Sequence, residues 1–167
     1  MVLQQNHKNP IWGWADAGES INLSIAGQKH KTTANSKGNW KIILNPMKAS
    51  TDAKTLIINQ LKYENILIGE VWLCSGQSNM GWALGNSDDA DLEIMTANYP
   101  NLRLISVPQV GTQDAQINFN GRWETTTPEN AKNFSGVGYL FGRRLHLALG
   151  VPVGLIDNAW GGSACEA

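Results

Sequence analysis

One apolar run near the middle of the chain limits the folds that this sequence can adopt. Residues 66–76, ILIGEVWLCSG, are almost continuously apolar and end in glycine. This pattern is typical of a strand buried on both faces, as the parallel strands of α/β domains are. A second apolar run at 151–157 follows a segment with helical spacing, and Gly150 and Pro152 predict the end of that helix. Strand, helix and strand in this order predict a mostly parallel sheet with crossover helices.

The N-terminal part of the chain has a different pattern. Four short β-like runs are separated by segments rich in Gly, Asn, Asp and Pro, the residues that tight turns require. In the run SINLSIA, Ile21, Leu23 and Ile25 alternate with polar neighbours, as in a strand with one solvated face. We therefore predict two domains, an antiparallel β-sandwich over residues 1–65 and an α/β domain over residues 66–167. The four runs are PIWGWA, SINLSIA, GNWKIIL and TLIINQL.

Composition excludes several classes of partner. The formal net charge is -1 and the Lys and Arg residues form no basic stripe, so a nucleic-acid partner is not expected. No stretch of 18 apolar residues is present, so no membrane-spanning helix is expected. The two cysteines, Cys74 and Cys165, lack the spacing of a metal site and are expected to act as small buried hydrophobes.

Each of the two apolar runs is followed by a glycine-containing turn. Ser78 lies in the first turn, after Gly76 and Gln77, and Gly161-Gly162-Ser163 forms the second. Ligands of open α/β sheets bind beyond the carboxyl ends of the strands, so we expect both turns at one ligand-binding edge. If a helix starts near Asn79, Ser78 sits at a helix N-terminus, where unpaired amides favour an oxyanion. The glycine turn could offer a further amide to the same oxyanion.

The residues leave structural alternatives open. Ser78 could instead be a helix N-cap, the two glycines only a tight turn, and Glu166 an acid that complements a helix dipole. Met80 occupies a position where the α/β-hydrolase elbow requires glycine, which argues against that superfamily. None of the histidines, His7, His30 and His146, has the sequence context of a general base.

Two long segments resemble a known family. GEVWLCSGQSNM at 69–80 and the segment 133–167 are similar to the sialate O-acetylesterase family, a branch of the SGNH (GDSL-like) hydrolases. Residues 1–28 also resemble its N-terminal β-sandwich. The resemblance implies a three-layer α/β/α domain after the sandwich, with Ser78 as the nucleophile and Gly162 in the oxyanion hole. The positions that it implies for lining or bracing the site are Gln77, Asn79, Gly161, Ser163 and Glu166.

The same resemblance implies a reaction and a setting. Serine would attack the acetyl ester of sialic acid or a related acetylated sugar or glycan and form an acetyl-enzyme, without a metal or an organic cofactor. The family's setting is secreted, periplasmic or lysosomal.

The sequence departs from the family in its later motifs. A block similar to Trp-Tyr-Gln-Gly-Glu and a late Asp-x-x-His block, which carries the histidine base, are both absent from it. We therefore expect a complementary C-terminal segment or a second chain to complete the α/β domain, or else an inactive fragment. The alternative hypothesis is a non-catalytic carbohydrate-binding or interaction module, in which Trp12, Trp14 and Trp40 stack on sugars.

Overall fold

The chain divides into two compact units. The sandwich unit is Val2–Gly69, and the α/β unit is Glu70–Ala167 together with Met1. The computed structural model describes residues 1–162. One long strand, β7 (Leu61–Gly76), contributes to both units. The boundary after residue 65 that the change in composition predicts therefore falls inside a strand.

The sandwich unit is built from two antiparallel arrangements of strands. Its larger sheet has the strand order β4-β3-β6-β7, with β1 parallel to β7, while β2 pairs with β5. Ile21, Leu23 and Ile25 are each 2% exposed, which confirms the alternation predicted for this strand. The strands are β1 (Val2–Gln4), β2 (Asn9–Trp14), β3 (Ser20–Ile25), β4 (Gln28–Thr33), β5 (Asn39–Leu44), β6 (Ser50–Ile58) and the first part of β7.

The α/β unit has a mostly parallel sheet with the strand order β7-β10-β8-β9. Strand β10 is parallel to both β7 and β8, and its residue Leu155 lies opposite Trp72 on one side and Leu104 on the other. Among the described strands of this sheet, only β9 is antiparallel to its neighbour. The fold class expected from the sequence is thus confirmed. The elements are α1 (Ala90–Met95), β8 (Tyr99–Ser106), β9 (Glu124–Thr126), α2 (Pro128–Lys132), α3 (Gly136–Leu149) and β10 (Val153–Ala159), with a 3₁₀ turn at Leu84–Asn86.

Helix α3 forms as its spacing predicts and packs closely on the sheet. It ends at Gly150, which adopts the left-handed conformation with φ 66° and donates its N–H to the carbonyl of His146. A Cβ at Gly142 would stand 2.5 Å from Cδ1 of Leu155, which is fully buried, so glycine permits this close helix–strand approach. Among residues 1–162, none of the helices is long and apolar enough to cross a membrane.

The prediction that the apolar run is buried on both faces is wrong for the end of β7. Cys74 is buried beneath α3, but Leu73, which points to the opposite face, is 61% exposed. Trp72 is also partly exposed and makes an edge-to-face contact with Phe141 of α3, with ring centroids 5.1 Å apart. An apolar run indicates that a strand can be covered on both faces. Whether each face is covered depends on elements from other parts of the polypeptide.

Candidate active site

Backbone hydrogen bonds hold the carboxyl ends of β7 and β10 together. The two strands are parallel and in register as far as Gly76 and Ala159. Immediately beyond them, the N–H of Trp160 donates a hydrogen bond to the carbonyl of Gly76 over 2.9 Å. Gly76 has a φ of 143°, which side-chain-bearing residues rarely adopt, and there the chain leaves the sheet. The loops that follow the two strands therefore start side by side, from strand ends that are hydrogen-bonded to each other.

Ser78 lies in a single turn and not at the start of a helix. The N–H of Gly81 donates to the carbonyl of Gln77 over 2.9 Å, and the next α-helix begins only at Ala90. The condition of a helix start near Asn79 is therefore not met, and the argument from a helix dipole does not apply to Ser78. After Gly81 the chain pairs instead with the first residue of α3 and the two residues that precede it. Trp82 accepts the N–H of Gly136, Leu84 donates to Phe134, and Ala83 bridges to Ser135.

Met80 anchors this turn to the core. It is partly buried against the core of the α/β unit, and its sulfur accepts a hydrogen bond of 3.4 Å from Oγ of Ser135. Ser135 is itself the N-cap of α3 and accepts the N–H of Gly138 over 3.0 Å. With Met80 pointing inwards, the three residues before it are exposed, namely Gln77, Ser78 and Asn79. Methionine at this position thus has a packing role that a glycine could not have.

The glycine turn after β10 lies directly against Ser78. A Cβ built on Gly161 would stand 3.3 Å from Oγ of Ser78 and 3.6 Å from its Cα. On the other side of the turn, a Cβ on Gly81 would stand 3.6 Å from Cβ of Ala159. Gly162 follows with a left-handed φ of 76°. The structure therefore brings together Ser78 and Gly161, which are distant in the sequence. Ser163 and Glu166 lie outside the described residues.

His146, the histidine in the described part of the α/β unit, does not lie beside Ser78. His146 lies near the amino ends of the parallel strands, because its Nδ1 is 2.7 Å from the carbonyl of Val151, just before β10. Its ring also packs edge-on against Tyr99, the first residue of β8. Ser78 follows the carboxyl end of β7, which is the opposite edge of the sheet. His7 and His30 belong to the sandwich unit.

Two residues that support the glycine turn were not predicted from the sequence. Oδ1 of Asp157 accepts the N–H of Ala159 over 3.1 Å, and Nε2 of Gln109 donates to the carbonyl of Ala159 over 3.0 Å. Gln109 begins a long segment without periodicity, for which no local pattern predicts a partner. Asp157 did carry a signal, since it is an acidic residue within an apolar strand, where a charge needs hydrogen-bond donors.

The pKa of Asp157 follows from its surroundings. Burial raises the pKa of its carboxyl group, and hydrogen bonds from the backbone amides of Ala159 and Ser135 oppose that rise. Burial also raises the pKa of the Cys74 thiol to about 11, and the charge of Asp157 adds to the effect. Cys74 is therefore a protonated, buried thiol near neutral pH, and it is a poor nucleophile compared with a thiolate. Within residues 1–162, no group of three or more His, Cys, Asp or Glu side chains could hold a metal ion.

The raised pKa of Asp157 predicts how its contribution to stability changes with pH. The folded state holds the proton more tightly than the unfolded state, whose value is near 3.8. The contribution of protonated Asp157 to the unfolding free energy is therefore fully present below pH 3.8, and it is lost as the pH rises through the pKa of Asp157 in the folded state. We expect the unfolding free energy of the wild type, minus that of Asp157→Asn, to fall between pH 3 and pH 7. Urea denaturation of both proteins across this range measures the difference, and a rising or flat difference would contradict the prediction.

Several known proteins are similar to this chain. It is 33% identical to the sialate O-acetylesterase of Homo sapiens over 190 residues, which cover 100% of this chain and 36% of the relative. The sialate O-acetylesterase of Rattus norvegicus is also 33% identical, over 99% of this chain and 35% of the relative. The chain thus spans about a third of the length of these curated relatives.

A solved structure is similar over the same extent. The crystal structure of a carbohydrate acetylesterase from Xanthomonas citri matches with a TM-score of 0.93 and 35% sequence identity. The match covers 99% of this chain and 39% of that protein. No protein-family model matches the sequence.

Proposed function

Because this chain belongs to the sialate O-acetylesterase family, we propose that it carries the nucleophile of a carbohydrate esterase. The proposed reaction removes an O-acetyl group from sialic acid or a related acetylated sugar. One observation carries the proposal: Ser78 is exposed beyond the carboxyl end of β7, and a Cβ on Gly161 would stand 3.3 Å from its Oγ. A hydroxyl in this position is open to a substrate and adjacent to backbone amides of a glycine turn.

The proposed mechanism has two steps. Oγ of Ser78 attacks the acetyl carbonyl carbon while a base takes its proton, and the sugar hydroxyl leaves with a proton. Water then hydrolyses the acetyl-serine and restores the enzyme. The amides of Ser78 and Gly162 are proposed to stabilise the tetrahedral oxyanion, and neither step uses a metal or an organic cofactor. The residues proposed to line or brace this site are Gln77, Asn79, Gly161, Ser163 and Glu166.

The base is proposed to come from polypeptide that this sequence does not contain. His146 lies at the opposite edge of the sheet from Ser78. The relatives extend well beyond the aligned region, which is 36% of the human protein and 39% of the Xanthomonas citri protein. Leu73, which is 61% exposed on the face of the sheet opposite α3, gives a complementary segment or second chain an apolar side chain to cover. A secreted, periplasmic or lysosomal setting, where acetylated glycans occur, is part of the same proposal.

A chimera tests the proposal. The chimera, which we call the completed esterase, is the Xanthomonas citri acetylesterase in which our 167-residue chain replaces the aligned 39%. We expect the completed esterase to release acetate from acetylated glycans and from p-nitrophenyl acetate, and this chain alone to release none above background. The unmodified Xanthomonas citri enzyme is the positive control, and circular dichroism checks folding. A folded chimera without esterase activity would contradict the assignment of the nucleophile, and full activity of this chain alone would contradict an external base.

A further inference from the structure

The sandwich unit contains an open groove with exposed aromatic side chains. Its volume is about 850 Å³. Four of the side chains that line it are large, apolar and about half exposed: Trp12 at 56%, Trp14 at 54%, Leu61 at 60% and Tyr63 at 48%. Side chains of this size are normally buried, so a cluster of them at one groove indicates a binding surface.

The two exposed tryptophans are held by the strand beneath them. Trp12 and Trp14 are two residues apart in β2 and therefore point to the same face. Gly13 between them lies opposite Trp40 of β5, and a Cβ there would stand 2.8 Å from Cζ2 of Trp40. Trp40 is buried against this glycine and fixes the strand from the other face. The indole of Trp40 thus packs in the core, while the indoles of Trp12 and Trp14 remain exposed to a ligand.

The polar side of the groove is also held in place. Asn59 has a left-handed φ of 51° in the turn between β6 and β7, and its Oδ1 accepts the N–H of Asn22 over 2.9 Å. Its Nδ2 donates to Oε1 of Glu19 over 3.1 Å and to the carbonyl of Ser20 over 3.2 Å. A rim fixed by these hydrogen bonds loses little conformational entropy when a ligand binds.

From this combination of groups we propose that the groove binds a neutral glycan chain through its pyranose rings. A pyranose ring presents apolar C–H faces, which match exposed indole and phenol rings, and hydroxyls, which match amide side chains. Glu19 is the one charged side chain among the residues that line the groove, and it already accepts hydrogen bonds from Asn59 and from the N–H of Asp16. A carboxylate disfavours an acidic sugar such as sialic acid, so the groove selects neutral rings. This binding site is separate from the proposed esterase reaction and does not depend on it.

Calorimetric titration of this chain with cellohexaose, xylohexaose and 3′-sialyllactose tests the inference. We expect at least one of the two neutral oligosaccharides to bind, and 3′-sialyllactose to bind more weakly or not at all. Trp12→Ala and Trp14→Ala should each lower the affinity for the neutral oligosaccharide at least about tenfold, as removal of an anchoring aromatic does. Both side chains are more than half exposed, so these variants should fold, which circular dichroism checks.

Trp82→Ala is the matched control, because Trp82 is also 56% exposed but belongs to the α/β unit. It should leave the affinity for the neutral oligosaccharide unchanged. Tyr63→Ala provides a second groove variant with an expected loss. The inference would be overturned by the absence of binding of both neutral oligosaccharides at millimolar concentrations. Binding that survives the Trp12 and Trp14 variants, or a preference for 3′-sialyllactose, would overturn it equally.

Discussion

Replacement of Ser78 by alanine is expected to abolish acetyl-ester hydrolysis by the completed esterase, with kcat falling by about a millionfold. The loss should be this large because the hydroxyl of Ser78 is the group proposed to form the acetyl-enzyme, and the nearby Cys74 thiol cannot replace it. Cys74 is buried, with a pKa raised to about 11. Initial rates of acetate release from p-nitrophenyl acetate and from acetylated glycans measure the effect. In the completed esterase that retains Ser78, rapid quenching followed by mass spectrometry should find an acetyl group on the peptide that contains this serine.

Ser75→Ala is the matched control for this prediction. Ser75 is an exposed serine near the end of β7, opposite Asn158 of β10, and it has no proposed part in the reaction. The control variant should keep the wild-type rate and should still acquire the acetyl group on Ser78. An Ser78→Ala protein with an undiminished rate would exclude Ser78 as the nucleophile.

The parts of the fold that could be predicted are those with strong local signals. Helix α3 has regular apolar spacing, an αL glycine at its end and a proline shortly after it, and it forms as predicted. The meeting of the two glycine turns follows from topology, because parallel neighbouring strands place their carboxyl ends at one edge. Strand β4 was missed because its sequence, QKHKTT, contains no apolar residue that could mark its less exposed face.

The other differences from the sequence-based expectations have a common physical cause, which is contact between groups distant in the sequence. Serine, asparagine and the residues after them favour a helix start near Asn79. The chain instead pairs Ala83 with Ser135, and no local pattern reports that choice. The exposure of Leu73 likewise depends on what covers the opposite face of the sheet. Asp157 belongs to the same class, because its role depends on amides of Ala159 and Ser135 that only the folded chain brings to it.

Gly161→Ala is expected to lower kcat of the completed esterase about a hundredfold, because small displacements of a reacting group are costly. The new Cβ would stand 3.3 Å from Oγ of Ser78, which is closer than most real contacts of a Cβ, and at an ordinary 3.6 Å from its Cα. The hydroxyl or the glycine turn must therefore move. Because Ser78 is exposed, the movement should cost little stability, and the unfolding free energy should change by less than about 1 kcal/mol. Steady-state kinetics and urea denaturation measure the two effects.

The control for this variant is another glycine near the same loop. A Cβ at Gly111 would stand 3.9 Å from Cη2 of Trp160, which is an ordinary van der Waals distance, so Gly111→Ala should keep the wild-type kcat. A loss of kcat in both variants would mean that any added methyl group near this edge disturbs the site. A Gly161→Ala protein with wild-type kcat would mean that the turn yields freely, in which case the position of Ser78 against Gly161 does not set the geometry of the reaction. A loss confined to Gly161→Ala, without a loss of stability, is the result expected if the packing of Gly161 against Ser78 sets the position of the nucleophile.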